Sequence, residues 1–185
     1  QMRQWLPQGL DLSGPLRAKA KVSGKKDDLT LTDVRLSAAV FGADKPNFEL
    51  SGRVSHVTPS LKGLSLNGDV ALGPVAFAKL RRFAPVASML PKDLSADGPV
   101  SLKAHAEGTL DKLTFTGAAE ASESGVQFGE LFRKPPGTPL RLSADATLSG
   151  ARIDIKKAQL KLHTLDLTTS GAMIRDTTPT LRLDV

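Results

Sequence analysis

Apolar residues recur at every second position along most of this 185-residue chain, and that period excludes most folds at once. Leu16, Ala18, Ala20 and Val22 alternate with Arg17, Lys19 and Lys21. The pattern returns at Phe48, Leu50, Gly52, Val54 and at Leu64, Leu66, Gly68, Val70, Leu72. Further copies are Val100, Leu102, Ala104, Ala106; Leu113, Phe115, Gly117, Ala119; and Leu140, Leu142, Ala144, Ala146, Leu148. The last third adds Ile153, Ile155, Leu160, Leu162, Leu165, Leu167, Leu181, Leu183 and Val185. Successive side chains of a strand point to opposite faces, so each segment presents one apolar and one polar face. Antiparallel sheets carry this alternation, whereas parallel strands buried on both faces read as continuous apolar runs. Turn residues separate the segments, as in Gly24-Lys25-Lys26-Asp27, Gly108-Thr109-Leu110-Asp111 and Ser149-Gly150. The expected fold is therefore mainly β, an antiparallel sheet of about ten to twelve strands.

The chain also repeats itself. A shift of 84 positions lays Leu6-Pro7 on Leu90-Pro91, Leu10 on Leu94 and Gly14-Pro15 on Gly98-Pro99. Without a gap it continues with Lys19-Ala20 on Lys103-Ala104, Gly24 on Gly108 and Asp27 on Asp111. Leu29, Thr30 and Thr32 then fall on Leu113, Thr114 and Thr116, which makes 12 identities over the 27 positions from Leu6 to Thr32. Each copy, 6–32 and 90–116, reads as a Leu-Pro stop, a Gly-Pro turn and a hairpin. Repeats of one supersecondary unit predict an elongated stack whose neighbours share a continuous core. One helix is expected, over about 75–90, where Phe77, Leu80, Ala84 and Ala87 keep helical spacing and Pro85 should kink it. Met2, Trp5 and Leu6 read as the tail of the equivalent helix one repeat earlier.

Charge and chemistry narrow the function by exclusion. The net charge of +6 (25 Lys and Arg against 19 Asp and Glu) is spread over distant pairs such as Lys25-Lys26, Arg81-Arg82, Arg133-Lys134 and Lys156-Lys157. A nucleic-acid binder concentrates its charge on one element and supplies stacking aromatics, but here there are seven Phe, one Trp and no Tyr. No nucleic-acid partner is expected, and the basic residues read as a solvated strand face. No Cys is present, so thiol nucleophiles and Cys-ligated metals are excluded. His56, His105 and His163 lie far apart in sequence, none within metal-ligand spacing of a second His. His105 has one nearby acid, Glu107, on the same strand face. No nucleophile elbow, phosphate-binding loop or zinc-protease motif occurs. A non-enzymatic protein without cofactors is the expectation.

The accounting of apolar faces is the informative part. Ten or more stripes have one helix and a helix stub to cover them, so they must face one another or face something that is not protein. Small residues are frequent on the stripes, among them Ala18, Ala20, Gly52, Gly68, Ala104, Ala106, Ala144 and Ala146. A groove lined by Leu, Val and Ala suits flexible acyl chains, while a closed, dry sandwich core makes a structural or adhesive module. Both readings stay open on periodicity alone.

Phe77-Ala78-Lys79-Leu80, Leu90-Pro91, Gly98-Pro99-Val100-Ser101-Leu102 and Glu107-Gly108-Thr109-Leu110-Asp111 resemble the repeating region of AsmA-like proteins, the AsmA-, TamB- and YhdP-type envelope proteins. Leu167-Thr168-Thr169-Ser170-Gly171-Ala172-Met173 and Thr178-Pro179-Thr180-Leu181-Arg182-Leu183 share that family's strand-Gly-strand rhythm. The resemblance implies an elongated, curled β-groove (a β-taco) in the periplasm of a Gram-negative cell, tethered to the inner membrane by an anchor outside this segment. It implies conduction of phospholipid or another acyl lipid between inner and outer membrane, or support of outer-membrane assembly, with neighbouring repeats of the same chain as partners. The chain, 1–185, opens Gln1-Met2-Arg3-Gln4-Trp5 and lacks an anchor and a signal-peptide pattern, so it is expected to be one β-repeat segment of a longer protein. On this reading the lipid-binding residues are Leu29, Leu31, Phe48, Leu50, Leu64, Leu66, Leu102, Leu113, Phe115, Leu142, Ile153, Ile155, Leu160 and Leu162.

Overall fold

Each alternating segment becomes a strand and pairs with the next in sequence. The computed structural model describes residues 12–61, 63–83, 87, 90–174 and 180–184. Its strands are β1 (Leu12–Lys25), β2 (Asp28–Val40), β3 (Phe48–Val57), β4 (Ser65–Ala76), β5 (Leu94–Asp97), β6 (Pro99–Thr109) and β7 (Lys112–Glu120). There follow β8 (Gly125–Phe128), β9 (Phe132–Lys134), β10 (Leu140–Ser149), β11 (Arg152–Leu162), β12 (Leu165–Ile174) and β13 (Thr180–Asp184). Ten of them form one antiparallel sheet in the order β1-β2-β3-β4-β6-β7-β10-β11-β12-β13, and β5-β8-β9 form a small second sheet. The large sheet is an open meander that does not close on itself, with β1 and β13 as its terminal strands. The mainly β, antiparallel expectation holds.

The registers put the apolar stripes on one side. Directly opposed residues of an antiparallel pair project to the same face. Leu36 opposes Leu50, Leu50 opposes Val70, Val70 opposes Ala104, and Ala104 opposes Gly117. Gly117 opposes Ala144, which opposes Ala158, which opposes Thr169. A single apolar face therefore runs across the sheet. Strict alternation fails within four strands, and a bulge repairs it each time. The extra residues fall at Thr32–Asp33 in β2, Ser55–His56 in β3, Gly73–Pro74 in β4 and Lys156–Lys157 in β11. Without the β11 bulge, Leu160 and Leu162 would point away from the face that carries Ile153 and Ile155, because one residue of slip exchanges the faces.

Protein covers this face at one end. Ala38, Val40, Phe41, Leu72 and Val75 form a buried cluster with Leu12, Phe48, Leu80 and Phe83 against it. The Phe41 and Phe83 rings meet edge to face at 5.9 Å. A second cluster, Ala121, Val126 and Leu140, joins the small sheet to the large one through Leu94, Val100, Phe132, Leu160 and Leu162. The helix expected over 75–90 starts later and breaks early: its first turn ends at Leu80, and Arg81–Phe83 form a turn. Val75 and Ala76 still belong to β4, because the Gly73–Pro74 bulge turns Val75 onto the apolar face, where it is buried. The described helix, α1, is the single turn Phe77–Leu80. Ala87 is helical, its N–H donating to the Phe83 carbonyl at 2.9 Å. Ala84 and Pro85 lie outside the described residues, as do Met2, Trp5 and Leu6.

Where both copies are described, the internal repeat is the same hairpin built twice. Gly24 opposes Leu29 as Gly108 opposes Leu113, and Val22 opposes Leu31 as Ala106 opposes Phe115. The two glycines have φ of 121° and 123°, and a Cβ on either would collide with the carbonyl oxygen of Asp28 or Lys112 respectively. Identity between the copies ends at Thr32 and Thr116, and the β2 bulge begins there. Gly24→Ala and Gly108→Ala should each cost about 1–3 kcal/mol, from left-handed strain and the clash. Urea unfolding of the two variants should give similar losses, and a neutral Gly24→Ala would break the equivalence of the hairpins.

Candidate functional site

The apolar face is not flat. Three rows of side chains cross β6, β7, β10, β11 and β12, perpendicular to the strands. One row is large at alternate strands and beyond: Leu102, Ala119, Leu142, Leu160, Leu167. The middle row is small: Ala104, Gly117, Ala144, Ala158, Thr169. The third row, Ala106, Phe115, Ala146, Ile155, Gly171, rises again at Phe115 and Ile155. A small row between two larger ones makes a channel, and a cavity of about 750 Å³ with almost wholly apolar walls lies there. It crosses four inter-strand spacings of about 4.8 Å each, about 19 Å in all. Its Leu wall stays in contact with solvent: Leu102 is 39%, Leu142 49% and Leu167 45% exposed. That volume falls within the range of ligand pockets.

Of the fourteen residues expected to bind lipid, thirteen stand in strands on this one face. Leu64 does not: it precedes β4 in a turn, where its carbonyl accepts the Leu110 N–H at 3.3 Å. Leu102, Phe115, Leu142 and Leu160 line the channel. Phe48 and Leu162 pack into the covered end of the sheet, beneath α1 and the small sheet. Leu29, Leu31, Leu50, Leu66, Leu113 and Ile153 are half-buried elsewhere on the face, and Ile155, also half-buried, stands in the row of Phe115. Sequence selection favoured bulky residues and so passed over the floor, Ala104, Gly117, Ala144 and Ala158. The signal was present, since small residues on three neighbouring stripes leave space once the stripes align.

The opposite face is ionic and exposed. Lys21 and Asp33 pair at 2.7 Å, and Arg152 and Asp154 at 2.6 Å. The Lys21 hydrogen bond, then its charge, holds the Asp33 carboxyl below the usual range, and the Arg152 hydrogen bond does the same for Asp154. Because these folded-state values are depressed, both pairs stabilise above the ordinary carboxylate pKa and lose that effect as pH falls through the lowered one. Such exposed pairs contribute little and are screened by salt. His105 Nδ1 lies 2.9 Å from Asp69 Oδ1 on the neighbouring strand, closer than its Nε2 is to Glu107, at 4.0 Å. His56 sits at a bulge and His163 in the turn between β11 and β12. Among the described residues no group of three or more His, Asp and Glu converges as a metal site. A shallow hollow of about 640 Å³ on this face mixes Asp69, Lys103, His105, Arg141, Asp145 and Lys157, so its charges largely offset one another.

One basic residue is misplaced by the surface reading of Arg133-Lys134. Lys134 is only 2% exposed. Its Nζ donates to the carbonyls of Ser122, Ser124 and Pro135 at 3.0, 2.6 and 3.0 Å. Ser124 Oγ donates in turn to the Pro99 carbonyl at 2.6 Å, and the Leu140 N–H donates to Ser122 Oγ at 2.9 Å. The ammonium thus ties the small sheet to the ends of β6, β7 and β10. No family model, curated protein or solved structure matches this chain.

Proposed function

We propose that this chain is a lipid-carrying groove segment of the AsmA-like kind, and that acyl chains lie in the channel floored by Ala104, Gly117, Ala144 and Ala158. The observation that carries the reading is the exposed Leu wall. An apolar channel open to water is unfavourable, and a methylene moved into it gains about 0.8 kcal/mol. The hydrocarbon walls suit a flexible chain of no fixed shape, and Ala104, Gly117, Ala144 and Ala158 of the floor offer no polar side chain to fix a head group. A phospholipid therefore places its acyl chains in the channel and its head group at the rim, in solvent. The resemblance carried by Phe77-Ala78-Lys79-Leu80 and Gly98-Pro99-Val100-Ser101-Leu102 supports the same function and a periplasmic, inner-membrane-tethered setting for the full-length protein. No chemical step is assigned to the protein.

Native mass spectrometry of the purified chain tests this directly. The expected spectrum contains adducts with phospholipid masses that vanish on extraction with detergent and return with added lipid. A chain that carries no lipid and gains none on incubation with phospholipid vesicles would sink the proposal and favour a purely structural β module.

A further inference from the structure

We infer that the tip of the β8–β9 hairpin docks this chain reversibly on a phospholipid bilayer rich in acidic head groups. The inference stands apart from the channel and needs no lipid in it. The turn between the two strands is Gly129-Glu130-Leu131, with Gly129 at a φ of 55°. Leu131 is 89% exposed, and Phe128, which leads into the turn, is 38% exposed. Most other exposed large apolar residues lie in strands, beside neighbours of the same face. Leu131 stands clear in water and adds nothing to either buried cluster. The hairpin behind it is fastened. Val126 and Phe132 pack into the second cluster, three carbonyls hold Lys134, and the Gly129 N–H donates to the Asp93 carbonyl at 3.0 Å. The tip is thus presented on a fixed element, so little ordering cost falls on binding.

Basic residues distant in sequence collect around this tip. The Arg81 guanidinium donates to the carbonyls of Lys92 and Leu94 at 2.7 and 2.8 Å, on either side of Asp93. Arg133, two residues beyond Leu131, stands opposite Gln127 on the exposed side of the small sheet. Arg81, Lys92 and Arg133 are exposed, and among the described residues no carboxylate pairs with them. Asp93 and Glu130 are the acids here, against Arg81, Arg82, Lys92 and Arg133. A stable protein partner would have to bury about 800 Å² a side, far more than one Leu and the edge of a Phe offer. A bilayer makes no such demand of shape. It admits the Leu side chain into the head-group layer while the cations meet lipid phosphates, and those two weak signals together suffice for reversible binding.

The test floats the full chain with vesicles of equal parts phosphatidylcholine and phosphatidylglycerol. Partition onto them should fall about tenfold in Leu131→Ser. It should fall by a similar factor when Lys92→Glu and Arg133→Glu are combined. Leu110→Ser, at an exposed Leu in the turn between β6 and β7, should leave it unchanged. Because the chain has no Cys, Leu131→Cys accepts a single environment-sensitive dye, whose emission should shift to the blue on the vesicles. The same dye on Lys26→Cys, in the turn between β1 and β2, should not shift. Leu131→Ser should keep the parental affinity for a soluble fluorescent fatty acid, which separates docking from the channel. A parent chain that does not float, equal flotation of parent and Leu131→Ser, or a loss shared by Leu110→Ser overturns the inference. So does a shift of both dyes or of neither. A fatty-acid affinity that falls along with flotation would make the two a single site and overturn it too.

Discussion

A Gly117→Leu chain is expected to bind a fluorescent fatty acid at least about tenfold more weakly than the unsubstituted chain, a loss of about 1.4 kcal/mol. Gly117 lies mid-floor of the channel, between Ala104 and Ala144. A Cβ there would meet nothing nearer than the Lys103 carbonyl oxygen, at 3.3 Å, and its φ is not among the positive values. The Lys103 carbonyl must give by a few tenths of an ångström to admit the Cβ, strand propensity improves, and the new side chain fills the space an acyl chain needs. Thermal unfolding should stay within a few degrees of the parent, which separates blockage from misfolding. Leu102→Asp attacks the same channel from its wall: the site is partly solvated, so the carboxylate is tolerated in the fold while it makes the channel unfavourable to hydrocarbon. Parental affinity in both variants, with both folded, would mean that lipid does not use this channel.

Lys134→Met should lose about 3 kcal/mol of stability. The apolar part of the side chain is conserved, but its Nζ is removed from three carbonyls, the Ser124 bond buried and the other two partly so. Ser122 O keeps a second donor, the Gly137 N–H at 2.9 Å, so the carbonyls of Ser124 and Pro135 bear most of the cost. A buried acceptor left unpaired costs about 1–3 kcal/mol. Exchange of the β8 and β9 amides should accelerate before that of β2 and β3, because the knot fastens only the small sheet. Arg133→Met, one residue away and exposed, should change stability by no more than about 0.5 kcal/mol. Equal denaturation midpoints for the two variants would remove the structural role of Lys134.

These two sites differ in how far they can be read from a string of residues. The channel walls are legible, because Leu102, Leu142 and Leu160 stand at the even positions of separate stripes. The floor is legible in composition and not in position: Ala104, Gly117, Ala144 and Ala158 become a row only through the registers of three strand pairs. Lys134 is not legible at all. Its local pattern is that of a solvated Arg-Lys pair, and its burial comes with the carbonyls of Ser122 and Ser124, from the connection between β7 and β8. The helix expectation erred at its start for a related reason. Val75 and Ala76 fit helical spacing equally well, and a bulge at Gly73–Pro74 assigns them to the strand.

What the sequence determined by itself was the class of structure and its repeat. A period of two obliges each segment to separate an apolar face from a polar one, and Gly24 and Gly108 permit the same hairpin twice. Tertiary structure decided the rest. Bulges at Asp33, His56, Pro74 and Lys156–Lys157 bring stripes that drift out of phase back to one side. Gly98-Pro99 shares its sequence with Gly14-Pro15, yet one dipeptide lies where β5 leaves for the small sheet and the other lies within β1. Alternation is a local property of a strand, whereas register, cover and the open channel depend on which strands meet, and only the folded chain sets those contacts.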